Sequence, residues 1–556
     1  MKLNGSQILL ECLLEQGVDT IFGYPGGAIL NVYDEIYKYE AEGKLRHVIT
    51  AHEQGASHAA DGYSRSTGKT GVCFATSGPG ATNLVTGIAT AYMDSIPMIA
   101  VTANVGSNLI GRDAFQEVCI TGITMPITKH NFFVNKVEDL APAVRNAFRI
   151  ANEGRKGPVL IDITKDVTAA LCEYKPAKPF QLAKAKTPNA LAIEELAMMI
   201  KASKRPMIYF GGGVIASDCV KELRQLVEEG NIYAAHTMMA TGVLPYDHPM
   251  NLGMIGMHGN VASNSCIQKA DLVIAIGTRF SDRVALNTGH FAANAVKVQI
   301  DIDRSELGKN VRIDLGITGN AGSVLRRLLP LIERVEHPEW DAYVKEKKAK
   351  MRMIVKAKDE NMHPGEVIGK ICDLTDKDTI YVTDVGQHQM WAAQYVKHLA
   401  PRRFLSSGGL GTMGYGYGAA IGAQVANPDK RVIHITGDGS FHMNLNECAT
   451  AVSQNLPIIT VIMNNNVLGM VYQWQTVFYG KRYSQTTVKK HTDYVKMAEA
   501  FGGHGYRATT LAEFEEAYKA ALQNEGPSWI ECIIDPEERV LPMIPNGKTI
   551  DDAIVE

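Results

Sequence analysis

The sequence predicts an α/β protein built from three doubly wound parallel-sheet domains, and three observations carry that reading. Strand-length apolar runs alternate with helical patterns, as in TIFGY, HVIT, GVCFATS, MIAVTA and PVLIDI before residue 175, then PMIYF, LVIAIG and VKVQIDI between 188 and 332. The chain has 556 residues, too many for one core and, at roughly 150 residues per domain, enough for three or four. Two stretches punctuate the pattern. CEYKPAKPFQLAKAKT (172–187) is rich in Pro, Lys and Ala and reads as a linker, while YVKEKKAKMRMIVKAK (343–358) reads as a solvated connecting helix. The expected domains are therefore 1–175, 188–340 and 360–540, with a proline-punctuated tail over 541–556.

The first domain begins almost at once. Ser6 stands where an N-cap belongs, Leu9, Leu10, Leu13 and Leu14 form one apolar helix face, Gly17 ends the helix, and a strand follows over 19–22. Neither a signal peptide nor a transit peptide is expected from such a start. Composition is that of an ordinary globular protein, with 46% hydrophobic and 21% charged residues. A net charge of −3 gives no electrostatic case for nucleic acid or an anionic membrane. No apolar run reaches the roughly 18 residues that would mark a membrane span. The nine cysteines are scattered without a CxxC pair, which argues against a zinc site or a disulfide framework and for a reducing compartment, the cytoplasm. There is no fixed-period repeat.

The most informative stretch is 431–466, RVIHITGDGSFHMNLNECATAVSQNLPIITVIMNNN. An apolar run (432–435) stops at Gly437, Asp438 and Gly439. A helical pattern follows, with Asn444 and Glu447 spaced as a capping box. A second apolar run (458–463) stops at Asn464 and Asn465. Strand, helix, strand at this spacing is a βαβ unit, so the two strands are parallel and their carboxyl ends lie side by side, at the edge where open α/β sheets bind ligands. One end offers the Asp438 carboxylate and the other the Asn465 amide oxygen. Hard oxygen donors suit Mg²⁺, which commonly keeps water and substrate phosphate as its other ligands. Gly437 and Gly439 let backbone amides approach a phosphate with no Cβ in the way. A GDG turn or an NN loop alone is commonplace; both together, ending the two strands of one βαβ unit, are specific.

GDG followed, one βαβ unit later, by NN resembles the diphosphate and Mg²⁺ motif of thiamine diphosphate enzymes. The continuation GMVYQWQTVFYGKRY resembles the large, catalytic subunit of acetohydroxyacid synthases, and the likeness of motifs runs from Gly23 to about Pro545. It implies that 1–175 is a pyrimidine-binding domain, 188–340 a Rossmann-like FAD-binding domain and 360–540 the diphosphate and Mg²⁺ domain. Glu53 in HEQGA, whose position alone could equally serve a helix N-terminus, would then hydrogen-bond N1′ of the aminopyrimidine and so let the cofactor act as its own base. SGPGATN would bring Pro79 and Asn83 to the wall of the site, and Gly27 its backbone to the substrate end. Phe115 and Gln116 of DAFQE and Lys165 of DITKD would lie near the reacting centre, although position alone makes Lys165 a surface lysine. DVGQHQMW would give Gly386, Gln387 and His388 to the diphosphate. GGLGTMGYG would give Gly411 and Met413, whose apolar side chain would hold the two cofactor rings in a bent conformer. Gly437, Asp438, Gly439, Ser440, Asn465, Leu468, Gly469 and Met470 complete this set, with Asp438, Asn465 and the main-chain carbonyl of Val467 on Mg²⁺. Trp474, which reads unaided as a core residue, would favour 2-oxobutyrate through its extra methyl, a discrimination of about 1–3 kcal/mol.

For the central region the resemblance implies FAD. Gly211, Gly212 and Gly213 follow a strand but form no full GxGxxG, so alone they are a weak dinucleotide signal. Beside them ATGVLP, MIGMHGN, GTRFSDR and IDIDRSELGKN resemble the family's FAD-binding segments. The cofactor-binding residues so implied are Arg155, Gly211, Gly212, Gly213, Met257, His258, Gly277, Arg279, Arg283, Asp301 and Ile302. Arg283 is the candidate for gripping the carboxylate of the second 2-oxoacid, a bidentate task suited to guanidinium; a salt bridge to Asp282 or Asp301 is the rival reading. Ser281 and Asn320 stand where many members carry Asp. Asn104 and Gly106 replace the usual Gln and Pro, and Asn108 and Met125 lie where Arg is frequent. Net decarboxylation and ligation need no redox step, so the flavin would be structural.

The function this implies is decarboxylation of pyruvate and ligation of the two-carbon unit to a second pyruvate or to 2-oxobutyrate, the entry to branched-chain amino acid synthesis. Within enzymes the alternatives are a catabolic, flavin-independent acetolactate synthase, which lacks the RFxDR element, and a flavin-redox relative of pyruvate oxidase. A non-catalytic binding protein is disfavoured by the intact Glu53, Asp438 and Asn465. The resemblance also implies that the first domain of one subunit covers the third domain of another. A homodimer or homotetramer is expected, with a separate small regulatory subunit as a further partner.

Overall fold

The computed structural model describes residues 1–183, 187–350, 362–397, 400–487 and 492–555. Three six-stranded sheets, each parallel throughout, succeed one another along the chain. The first domain contributes β1 (Lys2–Asn4), β2 (Thr20–Gly23), β3 (Arg46–Ile49), β4 (Gly71–Ala75), β5 (Met98–Asn104), β6 (His130–Val134), β7 (Pro158–Thr164) and β8 (Leu171–Glu173). Its sheet runs β3-β2-β4-β5-β7-β6, and β1 pairs antiparallel with β8 as a clasp between the ends of the domain. The central sheet is built from β9 (Pro206–Phe210), β10 (Tyr233–His236), β11 (Asn251–Met254), β12 (Leu272–Ile276), β13 (Val296–Asp301) and β14 (Leu315–Thr318), in the order β11-β10-β9-β12-β13-β14. The third holds β15 (Ile380–Thr383), β16 (Phe404–Leu405), β17 (Val432–Gly437), β18 (Ile459–Asn464), β19 (His504–Ala508) and β20 (Ser528–Ile533), in the order β16-β15-β17-β18-β20-β19.

The interior strands β4, β5, β7, β9, β12, β17 and β18 are buried at every residue. Helices cover both faces of a parallel sheet, so these strands read as unbroken apolar runs. The edge strands β6 (HNFFV), β14 (LGIT) and β19 (HGYRA) lack such a run because each meets solvent along one side. Among the described residues no helix is long and apolar enough to cross a membrane.

Four local readings are corrected. The first helix, Gly5–Glu15, is capped by Asn4, whose side chain accepts from the Gln7 N–H while Gln7 returns the bond; Ser6 lies inside the helix and donates to the Thr168 carbonyl at 3.0 Å. Asn444 and Glu447 form no capping box. The Asn444 amide donates to the Gly414 carbonyl, and the buried Glu447 carboxylate crosses to the first domain, where it accepts the Ala51 and His52 N–H groups. The helix Pro338–Lys350 is not merely solvated, since Trp340 and Val344 are buried in the central domain; 351–358 lie outside the described residues. The linker begins a few residues later than 172, since 172–173 belong to β8 and Tyr174 is buried; 175–183 carry no helix or strand and are largely exposed, with the Ala177 and Phe180 N–H groups bound to Glu15 and Gln16, and 184–186 lie outside the described residues.

The first and third domains share one apolar core, which runs from Phe22, Ala56 and Ile88 to Ile380, Ile421 and Trp529. At its centre the helices Glu53–Thr67 and Tyr415–Ala426 pack backbone to backbone. A Cβ on Gly422 would lie 1.8 Å from the Ala59 carbonyl oxygen, and one on Gly62 2.1 Å from that of Ala419. Small residues at helical spacing in both sequences, AADG and YGAAIG, permit that approach.

Candidate functional site

β17 and β18 run in register, with Gly437 opposite Met463, so Asp438 and Asn465 follow neighbouring strand ends as the spacing requires. Asp438 opens the short helix Asp438–Phe441 and is 3% exposed. Asn465 is oriented by its surroundings. Its Nδ2 donates to Gln387 Oε1 at 3.2 Å, its Oδ1 accepts the Val467 N–H at 3.2 Å, and Gln387 is itself fixed by donating to Gln473 Oε1 and the Glu538 carbonyl. Two hard oxygen donors and the backbone around Val467 are thus gathered at one sheet edge, a donor set that fits Mg²⁺.

The same edge fits a diphosphate. His388, which follows Gly386 at the start of the helix Gln387–Tyr395, lies against Gly437 and is 5% exposed, and its Nε2 is buried without a hydrogen-bond partner. A buried polar atom of this kind calls for a ligand. A Cβ on Gly439 would come within 2.8 Å of Leu468 Cδ2 and 4.0 Å of Met413 Cε, so the glycine keeps open a cradle between those side chains. Ser440 Oγ accepts the Gly414 N–H one residue beyond Met413, Gly411 takes a φ of +72°, and Gly469 packs on the Gln387 and Asn465 side chains. Met470 packs on the third-domain core, and Trp474, four residues on in the helix Gly469–Phe478, is half-buried. Trp474 is therefore not a core residue; its Nε1 has no partner and its ring lies 5.9 Å from the Arg283 guanidinium.

Glu53 begins the helix Glu53–Thr67 at the carboxyl end of β3 and is 8% exposed. It accepts from Asn83 Nδ2 at 2.9 Å, and Gly80, next to Pro79 in the helix Pro79–Asn83, passes close to its other oxygen. Gln116 has a φ of +60° and lies against Gly78, while Phe115 is 88% exposed. Gly27 is exposed with open space beside it, and Lys165 is an exposed first residue of the helix that follows β7. All these groups stand at the carboxyl edge of the first sheet.

In the central domain the Gly211 and Gly213 N–H groups donate to the Ile276 and Gly277 carbonyls, and the turn through Gly212 packs on the Gly277 backbone. Asp301 is buried, which pushes its carboxyl up to about 6, and Ile302 is exposed. The Arg279 carbonyl accepts from Asn310. Met257 and His258 are buried beneath the tail, where the Met257 carbonyl accepts the Ile544 N–H; His258 Nδ1 has no partner. Of these groups the unpartnered His258 Nδ1 and the exposed Ile302 are the ones left for a ligand, since the Gly211 and Gly213 N–H groups are already bonded within the sheet edge. Arg155 belongs to a contact between domains, donating to Ser95 Oγ and to Glu306 Oε1. Of the rival carboxylates for Arg283, Asp282 is the one it meets, at 3.9 Å and in solvent, a geometry of little energetic weight. Sequence reasoning missed Glu447 as a bridge between domains, and it missed Asp61, Arg65 and Asp94, although Asp61 and Arg65 have the spacing of a helical ion pair.

Titration ties this architecture to stability. Burial pushes His47, His58, His236, His258 and His388 down to about 4, so the fold holds them neutral. Between the unfolded value of 6.5 and about 4 the unfolded chain takes up protons that the native chain refuses, so stability falls with pH by up to about 1.4 kcal/mol per pH unit per histidine. Asp162 and Asp301, raised by burial to about 6, act oppositely below that pH and offset part of the effect. Asp384 joins only in strong acid. Burial opposes its ionisation, yet His434 and the Gly416 N–H hold it down to about 2, so its contribution is lost between the ordinary carboxylate range and that value. Urea midpoints should fall steeply just below pH 6.5 and at a shallower slope down to pH 4; a flat profile from pH 7 to 5 would contradict the neutral burial of these imidazoles.

Comparison with known proteins gives the family. The N-terminal TPP-binding, central and C-terminal TPP-binding domain models of thiamine pyrophosphate enzymes match residues 3–124, 193–328 and 384–532. A probable acetolactate synthase large subunit of Methanocaldococcus jannaschii is 45% identical over 99% of this chain and 95% of its own length. An acetolactate synthase of Mycobacterium bovis is 44% identical over 99% and 91%, and an acetolactate synthase large subunit of Porphyra purpurea 43% over 98% and 94%.

Proposed function

Because the chain belongs to the acetolactate synthase large-subunit family of thiamine pyrophosphate enzymes, we propose that it decarboxylates pyruvate and ligates the two-carbon unit to pyruvate or 2-oxobutyrate. The products are 2-acetolactate and 2-aceto-2-hydroxybutyrate, precursors in branched-chain amino acid synthesis. The observation that carries this reading is the pairing of Gly437 with Met463, which sets Asp438 beside Asn465 within reach of Gln387 and His388.

Bound thiamine diphosphate supplies the nucleophilic carbon and the electron sink that decarboxylation of a 2-oxoacid requires. Asp438, Asn465 and the Val467 carbonyl would hold Mg²⁺. Gly386, Gln387, His388, Gly437, Gly439, Ser440, Leu468 and Gly469 receive the diphosphate, and Gly411, Met413 and Met470 shape the space around the rings. Glu53 holds a proton at N1′, with Pro79 and Asn83 beside it, while Gly27, Phe115, Gln116 and Lys165 line the reacting end. Arg283 takes the acceptor's carboxylate, and Trp474, stacked near it, meets the acceptor's alkyl group. Gly211, Gly212, Gly213, Gly277, Arg279, Asp301 and Ile302 would hold FAD, which would supply no redox step. Large apolar side chains stand exposed both at the first-domain edge (Phe115, Met125) and at the third-domain edge (Leu410, Met443, Val471). That supports a homodimer or homotetramer in which these edges cover one another. A separate small regulatory subunit is the further partner we assign, and the cytoplasm the compartment, in keeping with nine free thiols.

The test is product analysis after incubation with pyruvate and 2-oxobutyrate, with thiamine diphosphate, Mg²⁺ and FAD omitted in turn. Both acetohydroxy acids should form and should vanish without thiamine diphosphate or Mg²⁺. A colourless protein fully active without FAD would favour the flavin-independent alternative, and bleaching of the flavin by pyruvate an oxidase. In the same assay Trp474→Leu should lower the preference for 2-oxobutyrate by about tenfold with acetolactate formation retained, since one methylene carries about 1–3 kcal/mol; an unchanged product ratio would remove Trp474 from the selectivity site.

A further inference from the structure

A buried ion network that the proposed chemistry does not use lies between the first and third domains. Arg65, Asp61 and Asp94 have side chains no more than 5% exposed. Arg65 donates to Asp61, to Asp94 at 2.9 Å and to the Ser406 carbonyl at 2.9 Å. Tyr415 donates its hydroxyl to Asp61 at 2.7 Å. Asp94 accepts two main-chain N–H groups from the third domain, those of Gly408 at 3.1 Å and Gly409 at 2.7 Å. Nearby, the Thr90 and Thr412 hydroxyls are 2.7 Å apart.

Two buried carboxylate side chains thus face one buried guanidinium. The excess negative charge is met by the Tyr415 hydroxyl and by the backbone of a glycine loop, and hydrogen bonds to an ionised acceptor are roughly twice as strong as neutral ones. Residues 408–411 are exposed, and the loop is otherwise tied at its end, where the Thr412 N–H donates to Ser407 Oγ at 3.1 Å. It leads directly into Thr412 and Met413, and Met413 is the side chain that reaches the cradle at Gly439.

The geometry points to Asp94 as a positioning residue: through its charge, the first domain of a subunit sets the loop that carries Met413 into the cofactor site of that subunit's own third domain. This rests on the reading above only in taking Met413 to lie at the cofactor. Asp94 and Glu53 divide the work of the first domain. In the proposed dimer Glu53 acts at the ring of the site it covers on another subunit, and Asp94 acts on the wall of the site in its own subunit's third domain.

The test compares the full-length wild type with Asp94→Asn and Gly409→Ala. The first removes the charge and leaves the size. The second approaches the same contact from the exposed loop, where a Cβ would lie 2.7 Å from Asp94 Oδ1, so it reports on the loop even if Asp94→Asn does not fold. Without cofactor, hydrogen exchange over 406–413 should be about tenfold faster or more in both variants, the scale set by losing hydrogen bonds to a charged group, with β4 and β5 unchanged. Thiamine diphosphate affinity should fall by a similar factor while KM for pyruvate moves less than about twofold. Unchanged exchange over 406–413, or equal acceleration in β4 and β5, would overturn the proposal. Failure of the wild type to bind thiamine diphosphate would overturn the functional reading and leave the exchange result standing.

Discussion

Glu53→Gln is expected to lower formation of both acetohydroxy acids by about 100-fold or more, the ordinary scale for removing a positioned proton-transfer group, with a melting temperature at or slightly above that of the wild type. The sequence left two roles open for Glu53, proton chemistry at a ring nitrogen and a favourable charge at a helix N-terminus. The structure shows how that terminus is served. Glu447, reaching across from the third domain, accepts the Ala51 and His52 N–H groups, and the His52 ring accepts from the Gln54 N–H. A second carboxylate adds little there, about 0.3–1 kcal/mol. It also carries a cost: burial first, and then the charge of Glu53, push the Glu447 carboxyl up. The neutral side chain introduced by Glu53→Gln relieves that repulsion, and its amide oxygen can still accept from Asn83. The structural terms are small and opposed, whereas the chemical term is large. Initial rates of product formation beside a thermal melt separate them. A variant that kept near-normal turnover, or that lost activity only in step with stability, would return Glu53 to the helix terminus.

How far the sequence could be read follows from where the information resides. β17 and β18 are interior strands whose ends are marked by glycine and asparagine, so the neighbouring positions of Asp438 and Asn465 follow from local pattern and the chirality of a βαβ unit. The edge strands β6 and β19 carry no such pattern, because half of each faces solvent. The misread caps have a different cause. Asn4, Ser6, Asn444 and Glu447 all have capping chemistry, and which of them caps is decided by distant partners such as Thr168, Gly414 and the Ala51 amide. The same holds for Arg155, whose partner Glu306 lies in another domain. Likewise Arg65 meets Asp94, 29 residues on, only when two first-domain helices pack, and Ser406, Gly408 and Gly409 join from the third domain. A side chain's type is written locally, but its partner is chosen by the fold.

Gly422→Ala is expected to destabilise the protein by about 3 kcal/mol or more, the upper range for forcing a methyl group into a packed core. The sign is what makes the prediction sharp. In an exposed helix interior the same change stabilises by roughly 1 kcal/mol, because glycine is a poor helix former. Gly422 lies in the interior of the helix Tyr415–Ala426, and the added Cβ would stand 1.8 Å from the Ala59 carbonyl oxygen and 2.6 Å from its carbon. Backbone atoms cannot turn aside as a flexible side chain does, so the two helices must separate. Gly369 supplies the control: it sits within the helix Pro364–Leu374 with nothing within 4 Å of its would-be Cβ. Gly369→Ala should raise the urea midpoint where Gly422→Ala lowers it, and Gly62→Ala, which meets the Ala419 carbonyl from the other side, should behave like Gly422→Ala. The contact joins the helix begun by Glu53 to the helix that follows the Met413 loop, so a separation of those helices disturbs what the subunit contributes to each of the two sites of the proposed dimer. Thiamine diphosphate affinity should therefore fall in Gly422→Ala and Gly62→Ala and remain normal in Gly369→Ala. If Gly422→Ala were neutral or stabilising, the two helices would not be in backbone contact, and the shared core of the first and third domains would have to be redrawn.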